Sequence, residues 1–467
     1  MLIGNGRVGD HRVDVRVENG IIAELGEGLG APDVDLAGRW LIPGLWDHHV
    51  HFTQWTLTSQ RIDLSSAASA AEAAELLRGA DESAGIVIGA NFRDGLWPDA
   101  PSRPVLDAAT GAVPAVLVSA DLHCVWLNSA ALARFGHPEH PTGLLREEEA
   151  FEVERRIAEL PEQTVDAWAR QAASAAAARG VVGIVDFEMA WNRGHWERRI
   201  AAGHDGLRVE FGIYREHLDR AIAEGMRTGD RLHELLTAGR FKILTDGSLN
   251  TRTAYIHGQY PEGGSGLLTV PPAELTPLLE QATAAGIESA VHALGDAAVT
   301  LALDAMASSG ARGSIEHAQL VADADFARFG ALGIEASVQP EHLLDDRDVA
   351  DRYWAGSTDR TYAFRSLLNA GAVLRFGSDA PVAPLDPWLA ISAAVSRTRD
   401  ERAPWHAEQQ VTTAEALRSS TRSSIAVGEP ADLVATELDP LAATGEQLRT
   451  MPVAATLLGG RPTHSAL

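Results

Sequence analysis

Eight short apolar runs, most of them separated by helix-like stretches, constrain this chain more than any other feature of it. They are "LIPGLWDHHVHF" (41–52), "VVGIVDFEM" (181–189), "LRVEFGIY" (207–214), "RFKILTDG" (240–247), "GIESAVHA" (286–293), "RGSIEHA" (312–318), "GIEASVQPE" (333–341) and "AVLRFGSDA" (372–380). Stretches of helical character such as "PAELTPLLEQATAAG" and "TYAFRSLLNAG" sit between successive runs. Strands that alternate with helices pair in parallel, because each helix carries the chain back to the same edge of the sheet. Eight such units predict a (β/α)8 TIM barrel in an α/β protein. A doubly wound open sheet shares the alternation, but no glycine-rich phosphate fingerprint follows the first strand.

The ends read differently. The first 40 residues hold short alternating runs broken by Gly and Asn, and the last 40 hold "ADLVATEL" and "PVAATLLGGRPTH". Neither end can bury a sheet face alone, so 1–40 and 425–467 are expected to pair as one small composite β domain, leaving 41–424 to the barrel. The gap after the first strand is too long for a single connection. Its runs "AGIVIGANF" and "PAVLVSADLHCVWL" mark 52–165 as an insertion, and the Ala-rich helix that follows leads back to the barrel.

A net charge of −25 argues against nucleic acid or an anionic membrane as a partner and leaves a small-molecule substrate. The single cysteine, Cys124, forms no internal disulfide, and nothing resembles a secretory signal or a run of about 20 apolar residues. A cytoplasmic protein is expected. The same Cys124 reads as a small buried residue, and no G-x-S-x-G elbow suggests a serine hydrolase.

In "DHHVH", His49 and His51 are two apart on a strand and point to one face. Alone, such a pair is as readily a set of polar strand-end residues as a metal site. His292, His317 and Asp379 change the balance, for each ends an apolar run where a barrel strand delivers side chains to its C-terminal face. Four imidazoles and a carboxylate converging on one rim need a partner, and a metal ion supplies one. Of 39 basic residues, 38 are arginine, and the only lysine, Lys242, falls on the fourth strand among these groups. A cation there would repel a metal. A neutral amine can instead add carbon dioxide to give a carbamate that bridges two metals, which arginine cannot readily do. The alternative is a lysine kept for its aliphatic stem.

Taken in order, "PGLWDHHVH", "SADLHCVWLNSAAL", "FKILTDGSLNTRTA", "VHALGDAAV", "IEHAQL" and "FGSDAPV" resemble the amidohydrolase superfamily, and within it the YtcJ-like branch, amidohydrolase family 3, which includes N-substituted formamide deformylases. The resemblance runs along essentially the whole chain. It implies a hydrolase acting on carbon–nitrogen bonds other than peptide bonds, with a binuclear centre of two divalent ions, often zinc. His49 and His51 would hold the more buried ion and His292 and His317 the more exposed one. Carbamylated Lys242 would bridge them, and Asp379 would bind metal and carry the proton. It further implies a homodimer, and an insertion lying over the barrel mouth. Asp121, His123 and Trp126 would then contribute to the pocket, with His123 catalytic at the substrate carbonyl; a helix start capped by Asn128 is the structural alternative. Arg252 would meet a substrate carboxylate or clamp Asp246, and Asp296 would orient His292. Ester or carbamate cleavage, a non-hydrolytic reaction on the same site and an inactive binding barrel are the competing functions.

Overall fold

The computed structural model describes residues 1–80, 85–92, 94, 97–119, 124–146, 148–158, 161–249, 252–261 and 263–467. The chain divides into two compact units, Met1–Phe52 with Ala173–Leu467, and Thr53–Ala172.

The first unit contains the barrel. Its eight parallel strands are β1 (Leu45–Val50), β2 (Val181–Asp186), β3 (Arg208–Tyr214), β4 (Leu236–Leu244), β5 (Ser289–Ala293), β6 (Gly313–His317), β7 (Glu335–Val338) and β8 (Leu374–Phe376). Each pairs with the next from β1 to β8. The ring closes just past β8: Val50 bridges Ala380 in parallel, and the Asp379 N–H donates to the His49 carbonyl at 2.7 Å. This is the predicted (β/α)8 architecture, and the open-sheet alternative is excluded by that closure. The strands are apolar runs because helices and barrel interior cover both faces; all six residues of β2 are buried. Glycine matters at Gly377, where an added Cβ would lie 2.6 Å from the Cβ of His49, so β8 reaches β1 only without a side chain there.

Helices return the chain between strands, among them Pro272–Ala284 before β5 and Asp296–Ser309 before β6. The helix Thr413–Ser419 opens on a reciprocal pair in which the Thr412 hydroxyl takes the Glu415 N–H and the Glu415 carboxylate takes that of Thr412.

The termini meet in one sheet. Trp40–Pro43 pairs antiparallel with Leu433–Thr436, placing Leu433 opposite Pro43, and joins the strands Leu2–Val8, His11–Glu18 and Ile21–Gly26 to Val453–Leu458 and Arg461–Ser465. Ile3, Val15, Ile22, Leu41, Leu433 and Leu457 form its core, drawn from both ends of the chain.

The second unit has its own five-stranded sheet, ordered Leu144–Arg146, Cys124–Leu127, Ala115–Ser119, Val87–Phe92, Arg61–Asp63. Asn128 caps its helix Ser129–Phe135 by accepting the Ala131 N–H, and Cys124 is buried. Among the described residues no helix is long and apolar enough to cross a membrane.

Candidate metal centre

The C-terminal ends of the barrel strands bring the predicted donors together. His49 on β1 and His51 just past its end project toward Asp379, whose Oδ1 lies 3.5 Å from His49 Nε2 and 3.3 Å from His51 Nε2. Asp379 reaches them from a left-handed backbone, φ +56°, and His317 at the end of β6 sits at φ +73°. Non-glycine residues adopt that region at a cost of about 1 kcal/mol or more, so the surrounding structure holds them there. The donor atoms of His49, His51 and Asp379 all lie within 4.8 Å of one another, and those of His317, His342 and Asp379 form a second such group.

A carboxylate behind His49 decides which of its nitrogens faces the centre. Glu316 Oε2 accepts from His49 Nδ1 at 2.6 Å, leaving Nε2 to point inward, and the Ser314 hydroxyl donates to the other oxygen of Glu316. Asp246 Oδ1 stands 3.2 Å from His292 Nδ1 while the carboxylate accepts the N–H groups of Tyr255, Leu294 and Gly295. The His292 and His317 rings meet edge to face at 4.6 Å.

Lys242 lies on β4 with Nζ 3.3 Å from His49 Nε2 and 4.4 Å from the centre of the Phe187 ring, and it makes no ion pair among the described residues. Burial lowers its pKa to about 8 against the opposing pull of Glu316 and Asp379. Burial and the neighbouring Lys242 also lower His49 to about 4, and burial with the His292 ring beside it lowers His317 well below the usual imidazole value. Those two imidazoles are therefore neutral near pH 7, the state in which imidazole binds a metal. Burial opposes ionisation of Asp379, but the imidazoles around it, His51 donating, hold its carboxyl well below the ordinary range. His51 Nδ1 is buried without a hydrogen-bond partner among the described residues. Neutral imidazoles, one carboxylate and a weakly basic amine around one space suit a divalent ion.

Other predicted residues fall elsewhere. Asp121 and His123 lie outside the described residues. Trp126 does not line a pocket: it is fully buried within the second unit, its ring 6.4 Å from Phe92 and 6.5 Å from Trp97. Its alternating strand neighbours face opposite sides of a sheet covered on both, so an aromatic there is core. Arg252 does not clamp Asp246, which is occupied by three backbone N–H groups and faces His292; the exposed guanidinium instead reaches Tyr353 Oη at 3.3 Å. Asp296 does not orient His292, because its carboxylate accepts from the His257 N–H and from Arg360. Asp246 occupies that place.

Sequence reading missed Glu316 and His342. Glu316 directly precedes His317, and strict alternation would set the two on opposite faces; only the left-handed turn at His317 lets both serve one site. His342 opens the helix that follows β7, in "VQPEHL", four residues beyond the last strand residue, where the apolar-run pattern carries no signal for it.

A closed parallel barrel with imidazoles, a carboxylate and a buried lysine at its C-terminal rim defines a metal-dependent hydrolase. A sequence model described as the amidohydrolase family matches residues 34–464, and the chain belongs to that family. It is 28% identical to Protein LONG AFTER FAR-RED 3 of Arabidopsis thaliana, over 87% of this chain and 79% of that one. It is 26% identical to the N-substituted formamide deformylase of Arthrobacter pascens, over 96% of this chain and 94% of that one. Among solved structures, an uncharacterized metal-dependent hydrolase from Pyrococcus horikoshii OT3 superposes with a TM-score of 0.79 at 25% identity, covering 95% of this chain and 99% of the other.

Proposed function

We propose that the protein hydrolyses a carbon–nitrogen bond in a small amide, formamide or cyclic amide, using two divalent ions, zinc by preference, bridged by carbamylated Lys242. The observation that carries this reading is the meeting of His49, His51, Asp379 and Lys242, a lysine with a lowered pKa where a permanent cation would oppose a metal. The relationship to a formamide deformylase over nearly both full lengths supports the choice of bond.

His49 and His51 would hold one ion, His292 and His317 the other, and Asp379 would contribute to the set. When bound, the ions lower the pKa of water toward neutrality and polarise the scissile carbonyl. The protein's own residues do the rest. The deprotonated fraction of Lys242 attacks carbon dioxide through its amine lone pair as one C=O π bond breaks, and the released N–H proton passes to water, leaving an N-carboxylate. Asp379 accepts the proton of the attacking water at its carboxylate and returns it to the leaving nitrogen, so that an amine departs rather than an amide anion. Glu316 holds the His49 ring with Nε2 forward throughout.

Metal analysis on wild type and Lys242→Arg, with an amide screen in 18O-water, tests the proposal. About two ions per wild-type chain, fewer in the variant, and one 18O in the product acid are expected. One ion in both would retire the bridge, and product without 18O would retire hydrolysis.

A further inference from the structure

The six donors assigned so far come from β1, β4, β5, β6 and the end of β8, and none from β7. The helix His342–Tyr353 follows β7, and its first residue, His342, is 8% exposed. A donor atom of His342 lies within 4.8 Å of donors on both His317 and Asp379. We propose that His342 is a seventh metal donor, which completes the more exposed cation position together with His317 and Asp379. The proposal rests on the reading that this centre holds divalent ions.

The hydrogen bonding of the ring carries the argument. His342 Nε2 is 3.2 Å from the Ser378 carbonyl oxygen. A carbonyl only accepts, so Nε2 bears the proton, and in the neutral ring Nδ1 bears the lone pair. That Nδ1 makes no hydrogen bond to a described residue. A metal-binding histidine typically has one nitrogen fixed by a backbone carbonyl or carboxylate and the other left free as a donor. His49 has this arrangement through Glu316.

His48 provides the contrast. Its Nδ1 also meets a carbonyl, that of Phe376 at 3.1 Å, and its Nε2 is buried without a partner. The charges that act on His48 are those of Arg422, Arg375 and Arg240, surroundings that repel a metal ion. His342 joins instead a group containing a carboxylate and a second imidazole. With His292 packed edge to face on His317, the exposed ion would be surrounded by three imidazoles and Asp379. Borderline divalent ions such as zinc or cobalt suit nitrogen-rich sets of this kind.

The test needs no substrate. Full-length wild type, His342→Ala, His342→Asn and His51→Ala are stripped, reloaded with Co(II) and compared by metal content, chelator competition and visible absorption, with circular-dichroism melting of each apo form. Both His342 variants should bind the second Co(II) equivalent about 10- to 100-fold more weakly and alter its absorption band, while keeping the first equivalent. His51→Ala should lose the first. Wild-type affinity and absorption for the second equivalent in both His342 variants overturns the proposal. So does a defect in His342→Ala that His342→Asn, which can still donate to Ser378, fully restores in melting and in metal binding alike. If wild type binds no Co(II), the metal reading fails as a whole and this donor fails with it, a result distinct from failure of His342 alone.

Discussion

Two layers of the barrel interior, separated by two residues of one strand, treat positive charge in opposite ways. Arg240 and Lys242 lie on the same face of β4. Arg240 meets Glu335 at 2.7 Å and Glu288 at 3.3 Å, and Arg375 joins Glu335 from β8 at 2.9 Å. Burial alone would weaken the guanidinium, but these carboxylates more than offset it and raise its pKa. One layer up, Lys242 faces Phe187 and His49, and burial there prevails. The lower layer pairs every one of these charges and holds the strands together. The upper layer collects acceptors that the protein itself does not satisfy. Incomplete pairing, one layer above these ion pairs, marks the working end.

Changes to each layer should separate the two roles. The largest effect is expected for Asp379→Asn, which should cut turnover of any amide substrate by about 10³-fold, since it removes the proton carrier; kcat on the best compound from the screen measures it. Arg240→Met should lower stability by about 3 kcal/mol by leaving Glu335 and Glu288 short of a cation. Denaturant unfolding measures that loss, and metal content should stay at the wild-type value; a loss of ions would show that the layers are not separate.

The layers should also differ in pH dependence. The folded His49 pKa is about 4, below its ordinary value, so between that value and about 6.5 the unfolded chain binds more protons. Stability of the metal-free protein is then fully present above pH 6.5 and is lost as pH falls toward 4, by about 2 kcal/mol at pH 5. The Arg240 guanidinium, its pKa raised, stays charged across that window. Urea unfolding of apo protein at pH 7 and 5 tests this, and a flat profile would contradict it. The smallest effect is expected for Glu316→Gln, about tenfold weaker metal binding with the apo fold retained, because the amide can still accept from His49 but carries no charge.

Much of this was legible in the chain. The eight barrel strands follow from apolar runs and their spacing, because a strand covered on both faces needs little else. The pairing of the termini follows from the inability of either end to bury a sheet face alone. The positions of His49, His51, His292, His317 and Asp379 at strand ends were visible for the same reason, and Lys242 stood out as the only lysine. Less was legible where one residue's role depends on a distant partner. Asp296, four residues from His292, reads as its support, yet the carboxylate beside that ring is Asp246, which also takes the N–H of Leu294 at the end of β5. Trp126 reads as a pocket residue in the sequence, yet it packs into the core on one face of the second unit's sheet.

By itself the sequence determined the elements, their parallel order and the residue types collected at the strand ends, since periodicity and local chemistry are carried by neighbours along the chain. Only the tertiary structure decided which nitrogen each imidazole turns inward, that Glu316 stands behind His49, that His342 joins Asp379, and that one basic residue of β4 is paired while the other is not. Those outcomes depend on distances between strands far apart in sequence, and on burial, which no single strand sets.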